Sequence, residues 1–366
     1  MKEFASWSGT GIDNRRLFLK AAAGLALCGM VPGTSLVRAS ESAAPQGGLI
    51  DVHAHMVPDF YRDIGVAAGV RNPDGMPGWP TWSPDLMMEA MERLGVGSAV
   101  LSVSSPGVHF GDDAATALLA RRVNEYGAQL KSRWPKRFGF FASLPLPDVA
   151  TSLKEIEYAL GSLKADGVVL MSNSAGIYPG DPKLEPVLAE LDRREAIVFA
   201  HPASPTCPCT GQGQLWQQMG APAMEFMMET TRMVTNLVLS GATDRYRKIR
   251  FIIPHTGGTL PAIVDRLATT MGFFSGKPVG PEKTYEALSR FYFDVAGPAA
   301  SRTMPLLRTF ASGDRILYGS DWPFTPEEPL QQLRSRLANT LGGEPDFMKA
   351  VYRLNALKLF PQFAQA

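Results

Sequence analysis

Four short motifs carry the residues in this chain that could do chemistry: IDVHAH with His53 and His55, FAHP with His201, IIPHTGG with His255, and YGSDWPF with Asp321. Together they hold four of its five histidines. A His-x-His pair at a strand end points both imidazoles to one side, because side chains alternate with a period of two. A further histidine and an aspartate supply a borderline nitrogen and oxygen set suited to zinc, with room left for water or substrate. The pair alone has many uses, whereas the full combination is specific.

The elements that must position these groups are legible around them. Runs such as IVFA, RFIIP and RILYGS are short, apolar throughout and rich in β-branched or aromatic residues, which reads as strands buried on both faces. From Gly48 onward such runs alternate with amphipathic stretches, the signature of repeated βα units. Eight strands are expected: Leu49–Val52, Ala99–Val103, Phe138–Ala142, Gly167–Leu170, Ile197–Ala200, Arg250–Ile253, Phe291–Val295 and Arg315–Tyr318. Helices are expected over Pro84–Leu94, Asp112–Trp134, Ala150–Leu163, Leu184–Arg193, Glu225–Ser240 and Leu260–Thr270. This order predicts an α/β fold, a TIM (β/α)8 barrel whose strand ends gather the four ligands at the C-terminal face. A proline- and glycine-rich insertion, Met56 to Trp82, should cover the barrel mouth, and a second long connection, Pro202 to Pro222, contains Trp216.

With 366 residues, 45% hydrophobic, 19% charged and a net charge of +1, the composition is that of an ordinary globular protein and gives no reason to expect nucleic acid as a partner. No internal repeat or interdomain linker divides the chain. The N-terminus reads differently: Asn14-Arg15-Arg16 precedes an apolar stretch from Ala21 to Met30, then Val37-Arg38-Ala39. Residues 1–39 are therefore expected to be a twin-arginine signal peptide cut after Ala39, leaving 40–366 as an exported, periplasmic barrel domain. The apolar stretch is shorter than the roughly 20 residues that span a bilayer, so no stable membrane anchor is expected. Cys28 follows Leu27 rather than a small residue, which argues against lipidation. Cys207 and Cys209 are the remaining thiols, and with a proline between them they read as loop residues or an unusual redox bridge.

At this point the sequence resembles the amidohydrolase superfamily, whose barrels carry HxH after strand one, histidines after strands five and six, and aspartate after strand eight. Within it the chain is most similar to the branch that contains aminocarboxymuconate semialdehyde decarboxylase, γ-resorcylate decarboxylase and the 6-methylsalicylate decarboxylases. The resemblance spans about Leu49 to Phe360 and includes RFGFFASLPLPD, VFAHP, SGATDRYRKIRFIIPHTGGTLP and FYFDVAG. It implies that His53, His55, His201 and Asp321 hold the metal and that His255 is the acid/base group beside it. The stretch VVLMSNS after the fourth strand offers no lysine to bridge two ions, so the implied site is mononuclear. γ-Resorcylate decarboxylase has Glu-x-His where this chain has His53-Ala54-His55, which argues against a close match to that relative.

The resemblance further implies that Arg266, eleven residues after His255, reaches into a neighbouring subunit's pocket to hold a substrate carboxylate, as in a homodimer or higher oligomer. Trp216 and Phe324 match pocket-lining aromatics, or are core residues. His109, beyond the second strand, is either a substrate contact or incidental. Gly257-Gly258 are read as tight turning beside the metal. The implied activity is non-oxidative decarboxylation of an aromatic or enol-type carboxylic acid, with one divalent ion, zinc or else manganese, and no organic cofactor; Asp321 or His255 delivers the proton. Two other readings stay open: hydrolysis of a lactone, ester or amide at the same site, and an exported metal-binding protein without catalysis.

Overall fold

Eight parallel strands form in the expected order: β1 (Leu49–His55), β2 (Val96–Ser102), β3 (Phe138–Ser143), β4 (Gly167–Met171), β5 (Ile197–His201), β6 (Arg250–Ile253), β7 (Tyr292–Asp294) and β8 (Ile316–Leu317). Each pairs with the next from β1 through β8. The computed structural model describes residues 47–206, 220–274, 281–297 and 300–365, which lie in a unit running from Ser42 to Ala366. The ring closes just beyond β8. Val52 N–H donates to the Tyr318 carbonyl at 3.1 Å, Asp321 N–H to His53 O at 2.7 Å, and His55 N–H to Trp322 O at 2.8 Å. A parallel bridge joins Ala54 to Trp322.

A strand's alternation decides which side chains fill the barrel, and β1 breaks that alternation once. Ile50 and Val52 face inward with Val100, Phe141, Val169, Phe199, Ile252 and Leu317. Between Asp51 and Ala54 the register against β2 slips by one residue, since Asp51 faces Ala99 but Ala54 faces Leu101. Such a bulge reverses which side chains point inward. Ala54 therefore joins the outer layer between barrel and helices, and His53 and His55 take over the interior.

The helices fall where their apolar stripes place them. Pro84–Leu94 starts at Ser83, whose Oγ accepts from Leu86 N–H at 3.1 Å, and ends at Gly95 in the left-handed region, φ 66°. Asp113–Arg133, Val149–Ile156, Glu185–Arg193, Glu225–Leu239 and Leu260–Phe274 cover the outside of the sheet. Two features go beyond the sequence reading. The insertion after β1 contains a helix, Asp59–Ala67, and Tyr61 OH ties it to the Gly107 carbonyl of the loop after β2 at 2.7 Å.

The second feature is the C-terminal segment, which plugs the barrel floor. Ala356, Leu359, Phe360 and Phe363 pack among the inward residues of the strands. Arg353 locks the plug to the start of β1, donating to Gly47 O at 2.7 Å and to Phe363 O at 2.8 Å. Aromatic rings then run from floor to mouth: Phe360 meets Phe141 at 6.0 Å, Phe141 stacks on Phe199 at 5.2 Å, and Phe199 stands edge-on to His53 at 4.9 Å. Phe363 is fully buried in that plug, so Phe363→Ala should cost about 3–5 kcal/mol of stability. An unchanged denaturant midpoint would show that the plug is dispensable.

Candidate metal centre

One ligand atom from each of His53, His55, His201 and Asp321 lies within 4.8 Å of the others, so residues scattered through the sequence converge on one point at the strand ends. Their outward-facing atoms fix how they point inward. His53 Nδ1 is 2.9 Å from Asp294 Oδ2, His55 Nδ1 is 2.9 Å from Ser102 Oγ, and His201 Nδ1 is 2.7 Å from the Pro202 carbonyl. A carbonyl can only accept, so His201 carries its proton on Nδ1 and presents a lone pair at Nε2; the Asp294 carboxylate selects the same tautomer for His53. His53 Nε2 is buried without a hydrogen-bond partner, its acid neighbour Asp321 Oδ1 standing 3.5 Å away. A buried ring nitrogen with no partner, aimed at two other imidazoles and a carboxylate, fits a divalent cation.

The local backbone is bent to make this possible. Asp321 sits at φ 64°, His255 at 53° and Thr256 at 58°, left-handed values that side-chain-bearing residues rarely adopt. Asp321 is held there by the seam bond to His53 O and by Thr325 N–H, which donates to the Asp321 carbonyl at 2.8 Å. Gly258 turns the chain at φ 66°, where a Cβ would stand 2.4 Å from the Met227 carbonyl oxygen. At Gly319 a Cβ would come within 2.7 Å of the His53 Cβ. The glycines beside the site thus serve close approach and tight turning.

Charge inside the cluster is set by burial against proximity. Burial pushes the Asp321 carboxyl up, but the facing rings of His255, His53 and His55 outweigh it and hold the group well below the usual carboxylate range. Burial lowers the His53 imidazole, yet the carboxylates of Asp294 and then Asp321 override it and raise the ring to about 10. His201 is driven well below its ordinary value by burial and by the neighbouring His55 and His53 rings, and burial also lowers His55. Asp51, buried at the seam, is pushed up to about 7 by desolvation although its Oδ1 accepts from both His53 N–H at 3.0 Å and Ser320 N–H at 3.1 Å.

His255 stands outside the ligand set but within reach of it. Its Nε2 is 3.6 Å from Asp321 Oδ2, while Asp321 Oδ1 faces His55 Nε2 at 3.1 Å. The two oxygens therefore divide between the metal side and His255. His255 and Asp321 retain 10% and 19% of their side-chain surface, whereas His53 and His55 retain none, so the pair faces the opening.

A cavity of about 220 Å³ lies at the ends of β2 to β5; none of the four clustered residues lines it, but Ala203 and Ser204, just after His201, do. Leu144, Leu146, Val169 and Met171 give it apolar lining, and Asp74, Ser105, Asn173 and Ser204 polar lining. Met171 pairs with His201 across β4 and β5 and is the last residue of β4, in the stretch that lacks a lysine. Asp74 comes from the insertion after β1, which therefore does reach the barrel mouth.

The other expected site residues fare differently. Phe324 faces the site, edge-on to His55 at 5.5 Å. His109 lines the cavity, but its ring is engaged by Asp113 Oδ1 at 3.0 Å and by Gly111 N–H at 3.3 Å. Arg266 is exposed on the helix Leu260–Phe274 and makes no ion pair among the described residues. Trp216, Cys207, Cys209 and the N-terminal residues 1–39 lie outside the described residues. Asp294, Ser102, Asp51 and Asp74 were not singled out from sequence, although Asp51 and Asp294 lie within the motifs IDVHAH and FYFDVAG.

Residues 50–362 match the amidohydrolase family. The chain belongs to that family. Among its relatives, the 6-methylsalicylic acid decarboxylase of Aspergillus aculeatus is 37% identical over 335 residues, covering 87% of this chain and 97% of that protein. A crystal structure of an amidohydrolase II superposes with a TM-score of 0.80 at 34% identity, covering 86% of this chain and 99% of the other. The fold also matches, at TM-score 0.72 and 22% identity over 86% of this chain and 97% of the other, a dihydroxybenzoic acid decarboxylase from Polaromonas with bound manganese and 2-nitroresorcinol.

In this amidohydrolase the Asp294 carboxylate links the two halves of the centre, since its Oδ2 meets His53 Nδ1 and its Oδ1 accepts from His255 N–H at 3.1 Å. Asp294→Asn should weaken metal binding by about 10- to 100-fold in a chelator competition. Unchanged affinity would mean that packing alone orients His53.

Proposed function

We propose that this protein is a metal-dependent, non-oxidative decarboxylase of an aromatic hydroxy acid. The observation that carries the reading is the division of Asp321: one oxygen belongs to the ligand cluster, the other to His255, which a site built only to store a metal would not need. The names of the relatives, decarboxylases of 6-methylsalicylic and γ-resorcylic acid, point the same way. His53, His55, His201 and Asp321 would hold one divalent cation. When bound, that ion supplies Lewis acidity and a docking point for the acid's carboxylate and an adjacent oxygen. Zinc suits three imidazoles and one carboxylate, and the manganese in the Polaromonas enzyme makes it the second candidate.

The chain's own residues supply the proton. The His255 and Asp321 pair delivers it to the ring carbon that bears the carboxylate, which suspends aromaticity at that carbon. The carbon–carbon bond then breaks, its electron pair returns to the ring, and carbon dioxide leaves. One proton is consumed per turnover, and His255, at the open edge, restores it from solvent. Phe324 and the apolar cavity wall would exclude water and pack against the ring.

His255→Ala should leave metal content near that of the parent and lower carbon dioxide release from hydroxybenzoates by about 10²- to 10⁴-fold. Acid release from lactones without any carbon dioxide from the acids would convert the assignment to a hydrolase; metal retention with no turnover by the parent protein would leave a binding protein.

The export and assembly readings are carried by sequence. We propose that residues 1–39 direct twin-arginine export and that Arg266 serves the pocket of a second copy, for which its exposed place on Leu260–Phe274 leaves it available. No helix among the described residues is long and apolar enough to cross a membrane. Replacing Arg15 and Arg16 with lysines should hold the protein on the cytoplasmic side in fractionated cells; unchanged export would exclude that route.

A further inference from the structure

The polar lining of the cavity has a composition that the proposed chemistry at the metal does not use. Asp74 sits in the turn Pro73–Gly75 with φ 52°, a left-handed backbone that aims the insertion's only cavity-lining acid at the loops after β2 and β5. Its Oδ1 accepts from Ser204 Oγ. Ser105 Oγ is buried, has no hydrogen-bond partner, and lies near enough to favour the ionised form of the Asp74 carboxyl. Of the other polar side chains there, Ser204 is engaged with Asp74, Asn173 donates to Glu229 Oε2 at 2.8 Å and accepts from Gly176 N–H, and His109 is held by Asp113, while Ser143, Ser174 and Thr206 add further hydroxyls to the lining. Asp74, the only carboxyl lining this cavity among the described residues, thus stands beside the buried Ser105 hydroxyl, with its Oδ1 taken by Ser204.

The pair is close to the metal donors through the chain itself. Ser105 follows Ser104, whose Oγ is 3.3 Å from His201 Nε2, and Ser204 stands three residues after His201. The apolar lining, Leu144, Leu146, Val169 and Met171, offers the contact surface for a flat ring. No lysine or arginine lines this cavity among the described residues, so the wall does not suit a second anionic group.

We infer that Asp74 and Ser105 form a specificity subsite for a ring hydroxyl on the edge of the substrate remote from its carboxylate, a deepening that rests on the decarboxylase reading. A phenolic hydroxyl satisfies both partners at once: it donates to the Asp74 carboxyl and accepts from Ser105 Oγ. A ring with hydrogen at that edge brings Asp74 no donor beyond the serine hydroxyls and offers Ser105 no acceptor of its own, which a site built for a hydroxyl discriminates against. Burial also raises the Asp74 carboxyl above its ordinary value, so it gains from a donor placed against it.

The test is a binding titration on the metal-loaded protein with salicylate, 2,4-dihydroxybenzoate and 2,5-dihydroxybenzoate. At least one dihydroxy acid should bind about tenfold tighter than salicylate, and Asp74→Ala should erase that preference while changing salicylate affinity by less than about twofold. Asp74→Asn, which keeps the shape of the turn, should reduce the preference, and Ser105→Ala should do so in part. Equal binding of all three acids by the parent protein, or a preference that survives Asp74→Ala, overturns the subsite. Since binding is read without turnover, an Asp74-dependent preference in a protein that releases no carbon dioxide would sustain the subsite and sink the decarboxylase reading.

Discussion

The hydrogen bond from Asp321 N–H to the His53 carbonyl is the constraint on which the centre depends, because it closes the barrel and assembles the ligands in one step. β8 is only two residues long, so β8 itself contributes little ladder to hold the ring shut. The chain beyond it compensates: Asp321 and Trp322 bond to β1 at His53 and His55. Asp51 reinforces the same seam, its Oδ1 accepting from His53 N–H on β1 and from Ser320 N–H in the segment just after β8. A cation gripping His53 and Asp321 would add a third tie across that seam, so metal binding and barrel closure are linked.

Support reaches the seam from below and from the side. The ring sequence from Phe360 through Phe141 and Phe199 to His53 transmits packing from the C-terminal plug to a ligand. Laterally, Asp294 holds His53 and the His255 backbone with its two oxygens. The left-handed backbone at His255, Thr256 and Asp321 is tolerable only where such bonds over-determine it. Its concentration at the residues that would handle the proton is the expected place for strain, since it turns side chains inward that a regular strand end would not.

The strands, their order and the four converging ligands were legible because buried parallel strands leave continuous apolar runs, and polar residues at their ends stand out. What the sequence could not display is what depends on pairing. The bulge between Asp51 and Ala54 exists only against β2, so the inward turn of His53 and His55 follows from a register that no single strand encodes. Asp51 and Asp294 were hidden inside recognised motifs, since a single acid in an apolar strand run carries no mark of bridging two strands. The helix Asp59–Ala67 was obscured by the prolines and glycines around it. The floor plug had no legible location, because its apolar residues have the same periodicity on any face.

The residue at the end of β4 ties metal count to pocket shape. A second ion would require a charged bridge at this strand end, but Met171 stands there and lines the cavity. A thioether is polarisable, flexible and apolar, so it offers an aromatic ring a conforming contact and a cation almost none. The residue that offers no bridge to a second ion therefore also gives the cavity apolar lining. With Leu144, Leu146 and Val169 in the same lining as Asp74, the cavity offers an apolar contact for a planar ring and, on the proposed subsite, a polar one for a ring hydroxyl. On the proposed mechanism, orientation of that kind matters more than tight binding, because a proton from the His255 and Asp321 pair would have to meet one particular carbon of the ring.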